Sequence, residues 1–296
     1  MALANSLLQF SPSESTEDVT ALIERSFFGD GGALSVSLVQ AAFHHHFKVL
    51  GSGSRIELTR ECATALGISS DDACCLAAAV ECLHNASLVQ DDLQDRSATR
   101  RGQASVAAQF GSDVALGLTD QLITTAFVCL SGVSFPDHLP LLISRINRTV
   151  AKTVEGQTTE LSGSLDGASL DSFLASAKKK SGPLFALSLE LPLIFARHTK
   201  FLETAHEAAC QFGLGYQILD DLRDQRSDLR GACSGNLVFA LEAPENERNA
   251  STVAAAMARR LLDQAASGAS SLPLGCGLPL IGLIDRLMPQ IDAFES

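Results

Sequence analysis

The pattern D-D-x-x-D occurs twice in this chain, each time where a strongly apolar, helix-forming segment ends. The first copy lies in Leu88-Val-Gln-Asp-Asp-Leu-Gln-Asp95 and the second in Gln217-Ile-Leu-Asp-Asp-Leu-Arg-Asp224. A spacing of four places Asp91 and Asp95 on one face of a helix, one turn apart, and does the same for Asp220 and Asp224. Like charges at that spacing repel, so a bare helix gains nothing from them. A hard divalent cation reverses the sign, because magnesium favours carboxylate oxygen together with phosphate oxygen and water. The apolar residues before each cluster imply partial burial, which raises the cost of leaving these charges unpaired. Two copies point to a metal site; a single copy would fit an acidic helix end in solvent equally well.

The rest of the chain fits a helical scaffold. Ala and Leu outnumber the β-branched and aromatic residues, and aromatics make up only 5% of 296 residues. Segments such as Asp71–Leu93 and Leu202–Arg223 are too long to be strands, and no alternating β-branched run predicts a sheet. Breaks are expected near Gly29–Gly32, Gly51–Ser54, Gly67–Ser70, Arg101–Ser105, Ser131–His138, Gly163–Ala168, Ser227–Ser234 and Ser267–Gly277. The expectation is an all-α protein of ten or more helices: a polar tail over 1–17, then a single domain over 18–296 with no repeat or internal linker. A formal net charge of −12 argues against nucleic acid as a partner, while leaving room for an anionic substrate bridged by cations. The N-terminus lacks the features of a secretory signal. The longest apolar run, Pro183–Ala196, is interrupted by Glu190 and too short to span a bilayer, so no integral membrane segment is expected. Eight cysteines without a C-x-x-C pair suggest reduced thiols and a cytoplasmic setting. Cys74, Cys75 and Cys82 are read as core packing, and His44-His45-His46 point in different directions on a helix, a poor metal site.

Basic residues stand between the acidic clusters. Arg100-Arg101-Gly102 follows the first, and Lys178-Lys179-Lys180-Ser181-Gly182 precedes the second. Arg grips phosphate oxygens bidentately and Lys serves as a point charge, so both suit a diphosphate. In this setting Ala79–Asp95 with Arg100-Arg-Gly resembles the first Asp-rich region of the trans-isoprenyl diphosphate synthases, the polyprenyl synthetase family. Phe212-Gly-Leu-Gly-Tyr-Gln217 through Asp224 resembles the second. Gly156-Gln157…Glu160-Leu161 and Lys180-Ser181-Gly182-Pro-Leu184 resemble two further family motifs, and the similarity runs in order from about residue 38 to 241.

The resemblance implies an isoprenoid synthase-type helical bundle around a central cavity, usually a homodimer, acting on an allylic diphosphate and isopentenyl diphosphate. It implies that Asp91, Asp95 and Asp220 ligate about three magnesium ions, supported by Asp92 and Asp224. Arg100, Lys180 and Ser181 would serve the allylic diphosphate. Arg101 and His84 would serve the second substrate's diphosphate, and Gln217 and Ser181 would line the path of the carbocation. Ala86 and Ser87, small residues five and four before the first cluster, would leave the chain-length pocket open and favour products of C20 or longer. The alternative for the pair is simple helix packing, with Cys82, Leu83 or Phe127 forming a deeper floor.

Two stretches depart from the family pattern. Where the family has G-G-K-R-x-R-P, this chain reads Ser52-Gly-Ser54-Arg55-Ile-Glu57-Leu58, with a serine and a glutamate at cationic positions. One opposed charge pair at moderate dielectric is worth about 4 kcal/mol, so Arg55, Arg60 or Lys48 must compensate if isopentenyl diphosphate is used. Gly231–Phe239 likewise departs from G-K-x-T-x-P. The allylic, ionising half is complete and the second half is altered. Elongation leads; a terpene cyclase or a transferase to another acceptor stands second, and a non-catalytic subunit of a heteromeric synthase third.

Overall fold

The 25-residue helix ending in the first acidic cluster shows how the sequence builds its elements. Ser69 caps it by accepting from the Asp72 backbone N–H at 3.1 Å, and Asp71 and Asp72 occupy the first turn, where the helix dipole favours negative charge. From there Leu76–Val80 are fully buried, and the run of small residues Ala77-Ala78-Ala79 admits a neighbouring helix closely. The computed structural model describes residues 14–29, 37–161, 170–228 and 247–295. Among them are eleven α-helices. They are α1 (Glu14–Phe28), α2 (Leu38–Phe47), α3 (Ser54–Ala65), α4 (Ser70–Gln94), α5 (Val106–Phe110), α6 (Ser112–Ser131), α7 (Leu139–Leu161), α8 (Leu170–Phe195), α9 (Leu202–Asp228), α10 (Glu247–Ser270) and α11 (Leu278–Glu295). The all-α expectation is met. Helix α1 begins inside the segment read from sequence as polar tail. Breaks at Ala196–His198 and at Gly111 were not signalled by Gly or Pro clusters, and those expected near 163–168 and 229–234 lie outside the described residues.

The chain contacts itself as two compact units, one drawn from Met1–Arg60 and Ser69–Leu139, the other from Glu61–Ile68 and Pro140–Ser296. In the first, α4 packs along α6, whose Leu118, Leu122 and Ala126 are fully buried. Phe27, Phe43 and Phe47 stack successively between α1 and α2. A two-residue hairpin, β1 (Thr99–Arg100) with β2 (Gln103–Ala104), is the one sheet among the described residues and was not expected. Its turn residues Arg101 and Gly102 both have positive φ, 52° and 77°, as a tight hairpin turn requires. By length and composition alone α4 and α6 could cross a bilayer, but 72% of the relevant α4 window is buried within the protein, as a core helix requires.

In the second unit α8 is buried all round from Pro183 to Ile194, and α9 runs between α8 and α10. The glycines at the crossings permit this: a Cβ on Gly182 would meet Cys210 of α9 at 2.7 Å, and one on Gly215 would meet Leu262 of α10 at 3.0 Å. One carboxylate lies inside this apolar packing. Glu190 of α8 has no exposed surface and receives the Arg145 guanidinium of α7 through both oxygens, together with Nδ1 of His206 of α9 at 2.9 Å. Hydrogen bonds with Cys210 and Glu190 push the His206 pKa up to about 9. A histidine whose folded-state value lies above its ordinary 6.5 stabilises the fold fully below that value and loses the contribution as pH climbs through 9. Lys152 Nζ lies 3.4 Å from the same ring at Nε2. Urea unfolding followed from about pH 6.5 to about pH 9.5 is expected to show stability falling by on the order of 2 kcal/mol, and His206→Gln to flatten that slope.

Candidate active site

The first acidic cluster closes α4, where carbonyl groups already concentrate negative charge, so its carboxylates oppose the helix dipole. In each cluster the two adjacent aspartates have different neighbours, because successive helical residues point about 100° apart. Asp92 is 2% exposed, and Arg100 of β1 donates from Nε to both of its oxygens at 3.1 Å and from Nη2 at 2.7 Å. Asp221 is likewise buried and accepts from Gln217 Nε2 at 3.0 Å. Asp91 and Asp220 are half-buried on the adjoining face, Asp95 is exposed at the C-cap of α4, and Arg223 Nη1 lies 3.5 Å from Asp220. The structure therefore pairs Asp92 with Arg100, and Asp221 with Gln217, where the family resemblance gives Asp92 and Arg100 to metal and diphosphate and Gln217 to the carbocation. Gln217 packs beside Tyr216, whose ring sits 6.2 Å from that of Phe212.

The second basic group is assembled entirely within the first unit. Arg55 of α3 donates from Nη1 to His84 Nε2 of α4 at 3.3 Å. Arg101, at the hairpin turn, donates to the Val49 carbonyl at 2.9 Å and lies over Gly51 so closely that a Cβ there would meet its Nη2 at 2.6 Å. Its Nε is buried without an acceptor. Burial pulls the Arg101 pKa below its ordinary value, and burial beside Arg55 and Arg101 holds His84 well below its own, so His84 is neutral. Two guanidinium groups, one with an unsatisfied N–H, thus gather beside a neutral imidazole, a chemistry suited to an anion.

Sequence reasoning missed what supports this group. His46 accepts or donates at 3.0 Å with Asn85 Oδ1, Asn85 reaches Glu81 Oε1 at 2.8 Å, and burial drives the His46 pKa down to about 3. His45 Nε2 meets the Ala104 carbonyl at 2.8 Å while Gln103 donates to the His45 carbonyl, so α2 clamps the hairpin that carries Arg100 and Arg101. The divergent pointing of the three histidines was legible; the structural partners of His45 and His46, 59 and 39 positions away, were not. Ala86 is buried and Ser87 half-buried, its hydroxyl turned back to the His84 carbonyl at 2.8 Å. Lys180 and Ser181 lie on α8 and Asp224 on α9, but their side chains, like the 231–239 stretch, lie outside the described residues.

The polyprenyl synthetase family profile matches residues 36–232. The chain belongs to the polyprenyl synthetase family. Among curated relatives, the geranylgeranyl pyrophosphate synthase of Geoglobus acetivorans is 31% identical over 186 residues, 62% of this chain and 58% of the relative. The all-trans-nonaprenyl-diphosphate synthase (geranyl-diphosphate specific) of Rhodobacter capsulatus is 30% identical over 204 residues, 68% of this chain and 62% of the relative. The chain thus aligns with about three fifths of these relatives' length. Among solved structures, a decaprenyl diphosphate synthase from Rhodobacter capsulatus superposes with TM-score 0.77 at 18% identity, over 96% of this chain and 98% of that one. A geranylgeranyl pyrophosphate synthetase from Pyrococcus horikoshii gives 0.77 at 20% identity, over 93% and 99%. At these identities the structures establish the polyprenyl synthetase fold. Among the described residues no three His, Cys, Asp or Glu side chains converge as a ready metal cage. The half-buried Asp91 of α4 and Asp220 of α9 each still fit magnesium, which keeps water and substrate phosphate in its shell and asks only one or two carboxylates of a protein.

Proposed function

We propose that this polyprenyl synthetase is a magnesium-dependent prenyltransferase that condenses an allylic diphosphate with isopentenyl diphosphate to a product of C20 or longer. The observation that carries the reading is the basic group of Arg55, His84 and Arg101, formed on the same unit as the Asp91 cluster. It supports a second diphosphate site despite Ser54 and Glu57, with Arg55 as the residue that compensates. Asp91, Asp95, Asp220 and Asp224 would hold magnesium, which when bound supplies Lewis-acid charge toward the departing diphosphate. Asp92 keeps Arg100, and with it the hairpin, in place. Neutral His84 orients Arg55, and Arg101 offers its free N–H to a diphosphate oxygen. Lys180 and Ser181, from the resemblance, complete the allylic side. Half-exposed Leu116 and Val128 on α6 suit burial in a homodimer, and seven free cysteines among the described residues suit a cytoplasmic setting.

The test is a magnesium assay of purified protein with farnesyl diphosphate, with and without labelled isopentenyl diphosphate, read by mass spectrometry. A longer diphosphate that appears only with isopentenyl diphosphate is expected. Diphosphate release with a hydrocarbon or alcohol product, indifferent to isopentenyl diphosphate, would replace elongation with cyclisation or transfer.

Two variants sharpen the assignment. Gly51→Ala must displace the tip of the Arg101 side chain, a flexible group, so its stability cost should stay within about 0.5 kcal/mol. Its KM for isopentenyl diphosphate is expected to rise roughly tenfold, the equivalent of about 1.4 kcal/mol of lost contact, with the allylic KM unchanged. Ala86→Phe places a ring about one and a half helical turns, roughly 7.5 Å along the axis, before the acidic cluster and is expected to shift products to C15. An unchanged product spectrum would move the chain-length floor deeper.

A further inference from the structure

Within the second unit, the C-terminal helix α11 reaches the second acidic cluster through a guanidinium. Arg223 stands inside Asp220-Asp-Leu-Arg-Asp224 of α9, three positions from Asp220 and therefore on the same side of the helix. Its Nη2 donates to Gln290 Oε1 of α11, and only 13% of its side chain is exposed. The contrast with Arg100 in the first cluster is sharp. Arg100 donates to both oxygens of Asp92, at 2.7 and 3.1 Å. Arg223 Nη1 stops 3.5 Å from Asp220 Oδ1, and neither Nη1 nor Nε has a hydrogen-bond acceptor, although both atoms are buried. A buried, charged donor without an acceptor is costly, and an incoming anion removes that cost. The sequence departs from its family at the same place: where the pattern G-K-x-T-x-P has a lysine after the cluster, this chain has Ala232, and it carries an arginine inside the cluster.

We propose that Arg223 is a diphosphate-binding residue of the second acidic cluster, aimed by Gln290 of α11. The inference rests on the reading that Asp220 holds magnesium for a diphosphate. A guanidinium this close to a metal-binding carboxylate repels a cation that arrives alone. A diphosphate reverses the sign, because its oxygens are the acceptors that Nε and Nη1 lack and its negative charge faces the metal and the guanidinium together. Arginine suits the place, since its charge is permanent and its N–H donors have fixed directions. Gln290 is uncharged, so it fixes the side chain without neutralising it; an Asp or Glu there would hold the guanidinium and cancel the charge that the ligand needs. The same helix is tied to α10 a turn away, by Asp292 with Arg259, a contact that does not involve Arg223. Loosening α11 and disarming Arg223 are therefore separable.

The test titrates the full-length protein calorimetrically, first with inorganic diphosphate in excess magnesium and then with manganese alone. In Arg223→Gln the diphosphate Kd is expected to rise roughly tenfold, while manganese alone binds more tightly because the repelling cation is gone. A role confined to folding cannot produce those opposite signs. Gln290→Leu keeps the charge but loses the anchor, and is expected to weaken diphosphate about threefold. Asp292→Asn loosens α11 elsewhere and should leave diphosphate affinity unchanged. Arg223→Lys, which keeps the charge, should recover part of the loss and serves in place of Arg223→Gln if that variant does not fold. Tighter manganese binding with unchanged diphosphate affinity would reduce Arg223 to a counter-ion of Asp220 and overturn the proposal. Equal weakening of both ligands would overturn it as well, leaving Arg223 a structural tie. In either case wild type still binds diphosphate with magnesium, and the prenyltransferase reading stands. Wild type that binds no diphosphate with magnesium would overturn both together.

Discussion

Asp91→Asn will lower prenyl turnover on the order of 10²–10³-fold and leave the unfolding free energy within about 0.5 kcal/mol of wild type. The two halves of that statement come from the same geometry. Asp91 is half-buried near the C-terminal end of α4, with Asp92 beside it and Asp95 one turn on. Removing one negative charge from a helix end that already carries partial negative charge relieves repulsion, so the fold gains what it loses in local contacts. The amide keeps the shape but not the charge that holds a hard cation, and each ten-fold in rate corresponds to about 1.4 kcal/mol of lost transition-state stabilisation. Raising magnesium is expected to restore part of the activity, and a chelator to abolish it in wild type and variant alike. Asp92→Asn should behave in the opposite way. Its two oxygens hold the Arg100 guanidinium, so the variant is expected to destabilise the protein by roughly 1–3 kcal/mol before any effect on chemistry. A measurement in which both variants lost stability equally, or both lost only activity, would contradict this division of the cluster.

The contrast between these neighbours marks the limit of what the sequence told. The helical fold was legible because Ala- and Leu-rich segments of twenty residues leave no strand alternative, and because both D-D-x-x-D clusters close apolar runs. That Asp91 and Asp95 share a face follows from helical spacing alone. That Asp92 turns to Arg100 does not, because it depends on a hairpin whose turn forces Arg101 to a positive φ of 52° and brings Arg100 back over the helix end. Two-residue strands carry too little pattern to be read from alternation. The joining of Arg55 to His84, 29 positions apart, and of His46 to Asn85, 39 apart, is set by packing that no local propensity encodes. Resemblance to a family supplied Arg101 and His84 as one group. The structure adds the reason that they suit an anion, an unsatisfied guanidinium N–H beside a neutral imidazole.

Glu190 was legible only as an interruption of the longest apolar run, and its replacement is expected to give the largest stability loss in the protein. Burial alone would push its pKa up, but the hydrogen bonds from His206 and Arg145 outweigh burial and hold the carboxyl below its ordinary value, ionised. Arg145 is itself largely buried, with 14% of its side chain exposed. Glu190→Ala removes the charge that both cations face and leaves the guanidinium in apolar surroundings, so a loss of about 3–5 kcal/mol is expected. Set against a typical total of about 5–15 kcal/mol, that is enough to populate unfolded chains near physiological temperature. The cause is the stranded cation, and one further variant separates it from a simple loss of packing. Glu190→Leu combined with Arg145→Leu deletes both buried charges and refills the volume, and should recover most of the stability lost by Glu190→Ala. The same double variant should abolish part of the pH slope above neutrality, because His206 no longer has the carboxylate that raises its pKa. If the double variant were no more stable than Glu190→Ala, α7, α8 and α9 would depend on the ion pair itself for their register, and the buried pair would be what holds the second unit together.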